Sequence, residues 1–137
     1  MGRGWDGRPL PVLLRYTMKT LLKLEELALF LGCMYLFSRL SFAWWWFPAL
    51  LLAPDLSMIG YVISPAVGAF TYNVAHHRAV GIIIGLCGLA IGSQWLMLAG
   101  IVLVAHTSFD RMLGYGLKYP DDFRHTSLGW IGHQQSE

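Results

Sequence analysis

The sequence predicts an all-α integral membrane bundle of four transmembrane helices, with the second helix broken at Pro54. The chain has 137 residues, of which 55% are hydrophobic and 13% charged, and its mean hydropathy is +0.50. Soluble domains average about 25% charged residues. The apolar residues also form runs that approach the roughly 20 residues a membrane span requires. The net charge of +2 is small, and we expect no nucleic-acid partner.

The first segment, residues 1–19, carries two prolines and four basic residues. We expect a flexible start followed by an interfacial segment near Val12 to Lys19. The excess of basic residues predicts a cytoplasmic location for this end of the chain. The apolar run that follows is too long, and too polar at its front, for a cleavable signal peptide.

The first span is predicted from Thr20 to Phe37, with Glu25 and Glu26 in its first turns. Adjacent residues on a helix point about 100° apart. One of the two carboxylates can therefore reach the membrane interface, while the other should face protein.

The second span is predicted from Phe42 to Ile63, with an aromatic cluster of residues 44–47 at the outer interface. Pro54 removes a backbone donor and strains the preceding turn. In lipid, the freed carbonyl groups must find partners within the protein. We therefore expect the break, and Asp55 just beyond it, to face the interior of the bundle.

The third span is predicted from Ala66 to Ile91 and the fourth from Trp95 to Tyr115. An alternative makes residues 79–105 a single span, which gives three spans in all and an external carboxyl tail. Four spans place both basic ends in the cytoplasm, and the charge rule prefers this arrangement. The predicted division is a transmembrane domain at 20–116 and a cytoplasmic interfacial tail at 117–137, with disorder in its last residues.

Each span contains polar residues at comparable depth. Asp55 and His106 each lie eleven residues past an outer tryptophan, Trp44 or Trp95, which is roughly 16 Å along a helix. Similar counts bring six residues toward the inner half of the bundle: Glu25, Asp55, Asn73, His76, His106 and Asp110. Buried polar groups are expensive in a membrane, so their repetition in every span suggests a site.

Four of these residues predict a divalent metal site. Imidazoles and carboxylates delivered from several helices are ligands for zinc, iron or manganese. The predicted ligands are His76, His106, Asp110 and Asp55, and His106 and Asp110 share a helix face at i, i+4 spacing. No named metal motif such as HExxH is present in the sequence.

Each feature also has a purely structural interpretation. His106 and Asp110 can form a hydrogen-bonded pair within one helix, and Asp55 can cap the helix that restarts after Pro54. The segment of His76, His77 and Arg78 can reach toward lipid headgroups, and Glu25 can pair with a nearby lysine. Cys33 and Cys87 are interpreted as small buried apolar residues.

Four stretches carry a resemblance to a known family: LLKLEELALFL, APDLSMIGY, VGAFTYNVAHH and LVAHTSFDRMLGYGLKYPDDF. Together they resemble a family of small bacterial membrane proteins, domain of unknown function 4260, over roughly residues 20–129. The resemblance implies an integral membrane protein with four helices, here in the bacterial inner membrane, and implies no activity. The matching polar positions are Glu25, Asp55, Ser57, Tyr61, Tyr72, Asn73, His76, His106, Asp110, Arg111, Tyr115 and Lys118. Glu26 stands where the resemblance predicts a small residue.

The leading functional prediction is a metal-dependent membrane enzyme of the hydrolase type, acting on an amphiphilic or lipidic substrate. Glu25 is predicted as general acid or base, with Asp55 and Arg111 also catalytic. Four further polar residues are assigned to the site: Asn73, Tyr72, Tyr61 and Ser57. The alternatives are a metal-free isomerase or cyclase, a proton- or cation-coupled transporter or channel, and a non-catalytic binding or structural subunit.

The predicted partners are the lipid bilayer and a small amphiphile or lipid. Glycines at positions 81, 85 and 88 recur at steps of three and four residues. Such spacing favours close contact between helices, within one chain or between two copies. A homodimer is therefore a further expectation.

Overall fold

The computed structural model describes residues 11–132 of the chain. Within this range a chain of helices is followed by one short hairpin. The helices are α1 (Val12–Ser38), α2 (Trp46–Leu51), a 3₁₀ segment (Ala53–Val62), α3 (Pro65–Ala75), α4 (Arg78–Ile91) and α5 (Gln94–Leu113). Strands β1 (His125–Thr126) and β2 (Gly129–Trp130) pair antiparallel. The predicted all-α class is confirmed, with the two-residue strands as a local addition.

The long helix α1 packs against α5 and supplies part of the apolar core. It begins at Val12 rather than at Thr20, so the segment expected at the interface is already helical. Its buried residues Cys33 and Phe37 meet Leu98 and Val102 of α5, and Phe47 of α2 completes this cluster. Residues 1–10 of the predicted basic start and the last five residues of the predicted tail, 133–137, lie outside the described range.

The second predicted span is broken next to Pro54, as expected. Helix α2 ends at Leu51, and the backbone continues as a 3₁₀ segment in which the N–H of Asp55 donates to the carbonyl of Leu52 (3.2 Å). In a continuous α-helix, this N–H would have bonded to the carbonyl of Leu51. The break therefore releases the Leu51 carbonyl for another donor.

The third predicted span is not one helix, which corrects the sequence-based boundaries. Helix α3 ends at Ala75 and α4 begins at Arg78, with their axes bent by 43°. The sequence here contains neither proline nor glycine, the usual local causes of a kink. Contacts with other helices support the bend instead. Arg78 forms a 2.5 Å ion pair with Glu26 of α1, and the Thr107 hydroxyl lies 3.4 Å from the His76 carbonyl.

Glycines allow α4 and α5 to pack closely as a hairpin. A Cβ atom added at Gly88 would lie 2.5 Å from the Met97 nitrogen, and one at Gly81 would lie 3.0 Å from Leu103 Cβ. The turn between the helices uses Gly92, whose φ of +71° is a left-handed conformation that favours glycine. The glycine spacing that suggested a homodimer is thus explained by a contact within the chain.

The aromatic residues predicted at one membrane interface do gather at one end of the molecule. The rings of Trp46 and Trp95 pack edge to face at 5.7 Å, and Phe42 contacts Trp95 at 4.7 Å. The backbone N–H of Ser41 donates to the Gln94 side chain (2.9 Å). The starts of the second and fourth predicted spans are therefore neighbours.

Within the described residues, α5 is the one single helix with the length and apolar composition to cross a membrane. The bent pair α3–α4 meets the same criteria when it is taken together, and Trp46–Val62 is a shorter apolar stretch. Charged residues interrupt the apolar sequence of α1.

The segment after α5 folds back onto α3. Gly114, with φ +94°, ends α5, and Lys118 then forms an isolated bridge with Thr126 of the hairpin. The Asn73 side chain donates to the Lys118 carbonyl (2.8 Å) and accepts from the Lys118 N–H (2.7 Å). The part of the tail that the structure describes is an ordered element positioned next to the polar cluster described below.

Candidate metal centre

Four side chains from three parts of the chain converge in the interior. Asp55 comes from the 3₁₀ segment, His76 from the end of α3, and His106 and Asp110 from successive turns of α5. One potential ligand atom from each residue lies within 4.8 Å of the other three. These are the four residues that the sequence predicted as metal ligands.

The two imidazoles meet through their Nε2 atoms, which are 2.8 Å apart. Asp55 Oδ1 lies 3.5 Å from His76 Nε2 and 3.3 Å from His106 Nε2. Asp110 Oδ2 lies 3.5 Å from both nitrogens. Each carboxylate thus lies near both histidines. His106 and Asp110 are therefore not an isolated pair but part of a larger cluster.

Backbone carbonyls fix which ring nitrogen of each histidine carries a proton. His76 Nδ1 lies 2.8 Å from the Tyr72 carbonyl, and His106 Nδ1 lies 2.6 Å from the Leu51 carbonyl. A carbonyl can only accept, so both Nδ1 atoms donate. In neutral rings both Nε2 atoms then present lone pairs to the cluster. Backbone carbonyls commonly orient metal-binding histidines in this way.

The cluster requires a positive charge at its centre. Two lone pairs 2.8 Å apart, flanked by two carboxylate oxygens, repel one another unless a proton or a metal cation lies among them. Tetrahedral zinc, with bond lengths of roughly 2.0–2.15 Å, places neighbouring ligand atoms about 3.3–3.5 Å apart. The four nitrogen–oxygen distances match this spacing. The nitrogen–nitrogen distance is shorter and would have to widen. The residues fit a divalent metal ion.

Solvent exposure distinguishes the four ligands. The side chains of His76 and His106 are 3% and 1% exposed, and Asp110 is 14% exposed. Asp55 is 42% exposed. Asp55 lies in the first turn of the 3₁₀ segment, whereas the N-cap position considered for it is occupied by Leu52. The cluster therefore opens toward its surroundings on the side of Asp55.

The chain matches the family described as Domain of unknown function (DUF4260) over residues 19–131. The chain belongs to this family. No curated protein and no solved structure shows significant similarity to it. The matched range contains all four cluster residues of this DUF4260 chain.

Tyr72 supports two of the ligands in the DUF4260 chain. Its hydroxyl donates to Asp110 Oδ2 (3.0 Å), and its ring stacks on His76 with the centroids 3.6 Å apart. His76 lies one helical turn after Tyr72, so the same residue supplies the carbonyl that accepts from His76 Nδ1. Tyr72 was predicted as a polar site residue, but its support of two metal ligands was not predicted.

Lys118 is a residue near the site that the functional prediction did not include. It is 6% exposed, and its ammonium nitrogen lies 5.2 Å from the Tyr72 ring centroid. Burial lowers the pKa of this ammonium below its usual range, whereas the carboxylates of Asp110, Asp55 and Asp122 act in the opposite direction. Its position in the sequence block LGYGLKY was the available signal that it could belong to the site. Its contact with Tyr72 could not be predicted, because the two residues lie far apart in the sequence.

The remaining predicted residues lie outside the four-residue cluster. Glu25, the predicted general acid or base, is exposed on α1, and it is Glu26 that faces protein and pairs with Arg78. Asn73 binds the tail backbone. Three of the predicted site residues are among those with a buried side-chain atom that has no hydrogen-bond partner in the described part of the chain: Ser57, Tyr61 and Arg111.

Proposed function

We propose that the protein is an integral membrane enzyme of the hydrolase type that depends on a divalent metal and acts on an amphiphilic or lipidic substrate. His76, His106, Asp110 and Asp55 would hold zinc, iron or manganese, for which nitrogen and carboxylate oxygen ligands are suited. The observation that carries the proposal is the approach of two carbonyl-anchored imidazoles to 2.8 Å between two carboxylates.

The membrane part of the proposal is supported by the distribution of apolar side chains. Large apolar residues are exposed on α1, α3, α4 and α5, among them Leu36, Phe70 and Ile91. Two histidines are among the most deeply buried side chains. Extensive exposed apolar surface around a polar interior suits a bilayer better than water. Four spans, with both chain ends in the cytoplasm of a bacterium, remain our proposal for the topology.

The residues of the cluster have distinct proposed roles. A bound divalent ion would supply Lewis acidity and lower the pKa of a water molecule at the site. His76 and His106 are fixed by backbone carbonyls, and Asp110 is oriented by the Tyr72 hydroxyl. Asp55, the most exposed of the four, would accept a proton from a nucleophile on the open side.

A second candidate is a small proton- or cation-coupled transporter. It is favoured by the two helix breaks that border the cluster, at residues 52 and 76–77. Transporters commonly place ion sites at such breaks near the middle of the bilayer. The Nε2 atoms, 2.8 Å apart, are also close enough to share a proton.

Metal content is the direct test. The protein is purified in detergent, incubated separately with zinc, ferrous iron and manganese, desalted and measured by plasma mass spectrometry. We expect a stoichiometric metal ion in the wild type and its loss in His106→Ala. His77→Ala is the matched control, because His77 is exposed at the start of α4 and should leave the metal content unchanged.

A second experiment separates the two candidate functions. Hydrolysis of ester and phosphoester amphiphiles in mixed micelles, lost in His106→Ala, would support the enzyme. Proton or cation flux in liposomes, lost in Asp55→Asn, from a protein that binds no metal would overturn the enzyme and support the transporter.

A further inference from the structure

Lys118 is a buried cation that the proposed function does not use. Its backbone is fixed to α3 by two hydrogen bonds with the Asn73 side chain (2.7 and 2.8 Å). This holds the side chain against the aromatic rings of Tyr72 and Phe123, with 6% of the residue exposed. The ammonium therefore occupies a defined position.

The hydrogen bonds of this ammonium are incomplete. A lysine ammonium has three donors, and the Phe123 carbonyl accepts one at 2.8 Å. Within residues 11–132 no carboxylate forms an ion pair with it, and it otherwise lies against the faces of two aromatic rings. An ammonium that is removed from water without an anion is costly. An anionic ligand would satisfy the remaining donors.

Tyr72 connects Lys118 to the metal ligands. The ammonium nitrogen lies 5.2 Å from the Tyr72 ring centroid, and the hydroxyl of the same ring donates to Asp110. A ligand that contacts Lys118 therefore lies beside Tyr72, which itself contacts two of the four cluster residues. The two carboxylates would neutralise a bound divalent ion. The ammonium of Lys118 would then give this region a net positive charge.

We propose that Lys118 binds an anionic phosphoryl group of the substrate beside the metal centre. The inference rests on the proposed function and specifies its substrate class. Lysine is a common phosphate ligand that acts as a point charge with several donors. Lys118 also follows the end of α5, where the apolar helix gives way to a polar segment, which suits a charged headgroup on an apolar tail.

Binding of inorganic phosphate to the purified, metal-loaded protein tests the inference by titration calorimetry. We expect Lys118→Met to weaken binding about tenfold or more, while metal content stays at the wild-type level. Lys118→Arg, which keeps the charge, should retain most of the affinity. Lys19→Met is the matched control, because Lys19 is exposed on α1. If Lys118→Met does not fold, Lys118→Gln serves in its place.

Equal phosphate affinity in wild type and Lys118→Met, or no phosphate binding by the wild type, overturns the inference. Metal content measured on the same samples keeps the two proposals apart. A protein without metal that still binds phosphate through Lys118 contradicts the enzyme but not the anion site. If the metal-loaded protein binds phosphate with the same affinity with and without Lys118, only the anion site is contradicted.

Mixed micelles distinguish the source of the phosphoryl group. If short-chain phosphatidic acid competes with inorganic phosphate and short-chain phosphatidylcholine does not, the ligand is a lipid with a phosphomonoester headgroup. Inorganic phosphate binding that neither lipid displaces indicates a water-soluble phosphate compound. Both results retain Lys118 as the anion ligand.

Discussion

Asn73 and Lys118, 45 residues apart in the chain, are joined by two reciprocal hydrogen bonds between the amide side chain of one and the backbone of the other. The pair holds the segment after α5 against α3. Asn73→Ala should lower the free energy of unfolding by about 1–3 kcal/mol, since two half-buried hydrogen bonds are lost. Thermal unfolding in detergent measures the loss. Faster trypsin cleavage after Arg124 would show release of the tail, and an unchanged cleavage rate would contradict this role.

The hydroxyl of Tyr72 should matter for metal affinity. Tyr72→Phe removes the donor to Asp110 but keeps the ring that stacks on His76. Loss of such a supporting hydrogen bond typically weakens metal binding about 10–100-fold. Competition with a chelator of known affinity measures the change. Tyr61→Phe is the control, because the Tyr61 hydroxyl has no partner among the described residues, and equal effects of the two changes would argue against the assignment.

Close packing of α4 on α5 predicts different effects for two glycines. Gly88→Ala should destabilise the protein by about 1–3 kcal/mol, because the added Cβ would lie 2.5 Å from the Met97 nitrogen. Gly32→Ala on α1 meets no atom within 4 Å and should be neutral or stabilising by up to about 1 kcal/mol. Thermal unfolding compares them, and similar melting temperatures would contradict the packing described.

The adjacent glutamates of α1 provide a third matched pair. Glu26→Gln removes the negative charge that pairs with the half-buried Arg78 side chain and should cost about 1–3 kcal/mol. Glu25→Gln changes an exposed residue and should stay within about 0.5 kcal/mol of the wild type. Chemical unfolding measures both. A larger effect of Glu25→Gln on stability would reverse the assignment of the two carboxylates.

Burial of Lys118 predicts a dependence of stability on pH. Its pKa is lower in the folded protein than the ordinary value of 10.5 because burial disfavours the ammonium. Between the folded-state and unfolded-state pKa values, the unfolded chain binds more protons than the folded protein, so the free energy of unfolding rises with pH. Below that interval Lys118 is protonated in both states, and its contribution does not change with pH. The melting temperature of the wild type relative to Lys118→Gln should therefore increase as the pH approaches 10.5. A flat difference would show that the ammonium is not buried.

The four cluster residues could be predicted from the sequence because helical rise converts residue number into depth. Asp55 lies eleven residues past Trp44 and His106 eleven past Trp95, and the ring of Trp95 packs against Trp46, two residues after Trp44. The break at Pro54 was also predictable from the chemistry of proline. These inferences needed only the geometry of a helix and the outer tryptophans as a common reference for depth.

Other features depend on contacts that the sequence does not encode locally. The bend at residues 76–77 has no proline or glycine and is supported by α1 and α5. Helical geometry indicated that one of Glu25 and Glu26 faces protein, but the choice depends on the position of Arg78. The fold of the tail likewise depends on Asn73, a contact between distant parts of the chain.

The bend between α3 and α4 has a mechanical consequence. His76 is the C-cap residue of α3, and its Nδ1 donates to the Tyr72 carbonyl one turn earlier. The imidazole is therefore held in a fixed orientation relative to α3. His106 belongs to α5, whose largest helix contacts are with α4 and α1. Opening or closing the 43° angle therefore changes the gap between the two Nε2 atoms directly. If the proposed metal ion binds between the imidazoles, a change in this angle would alter the distance between two of its ligands and hence its affinity.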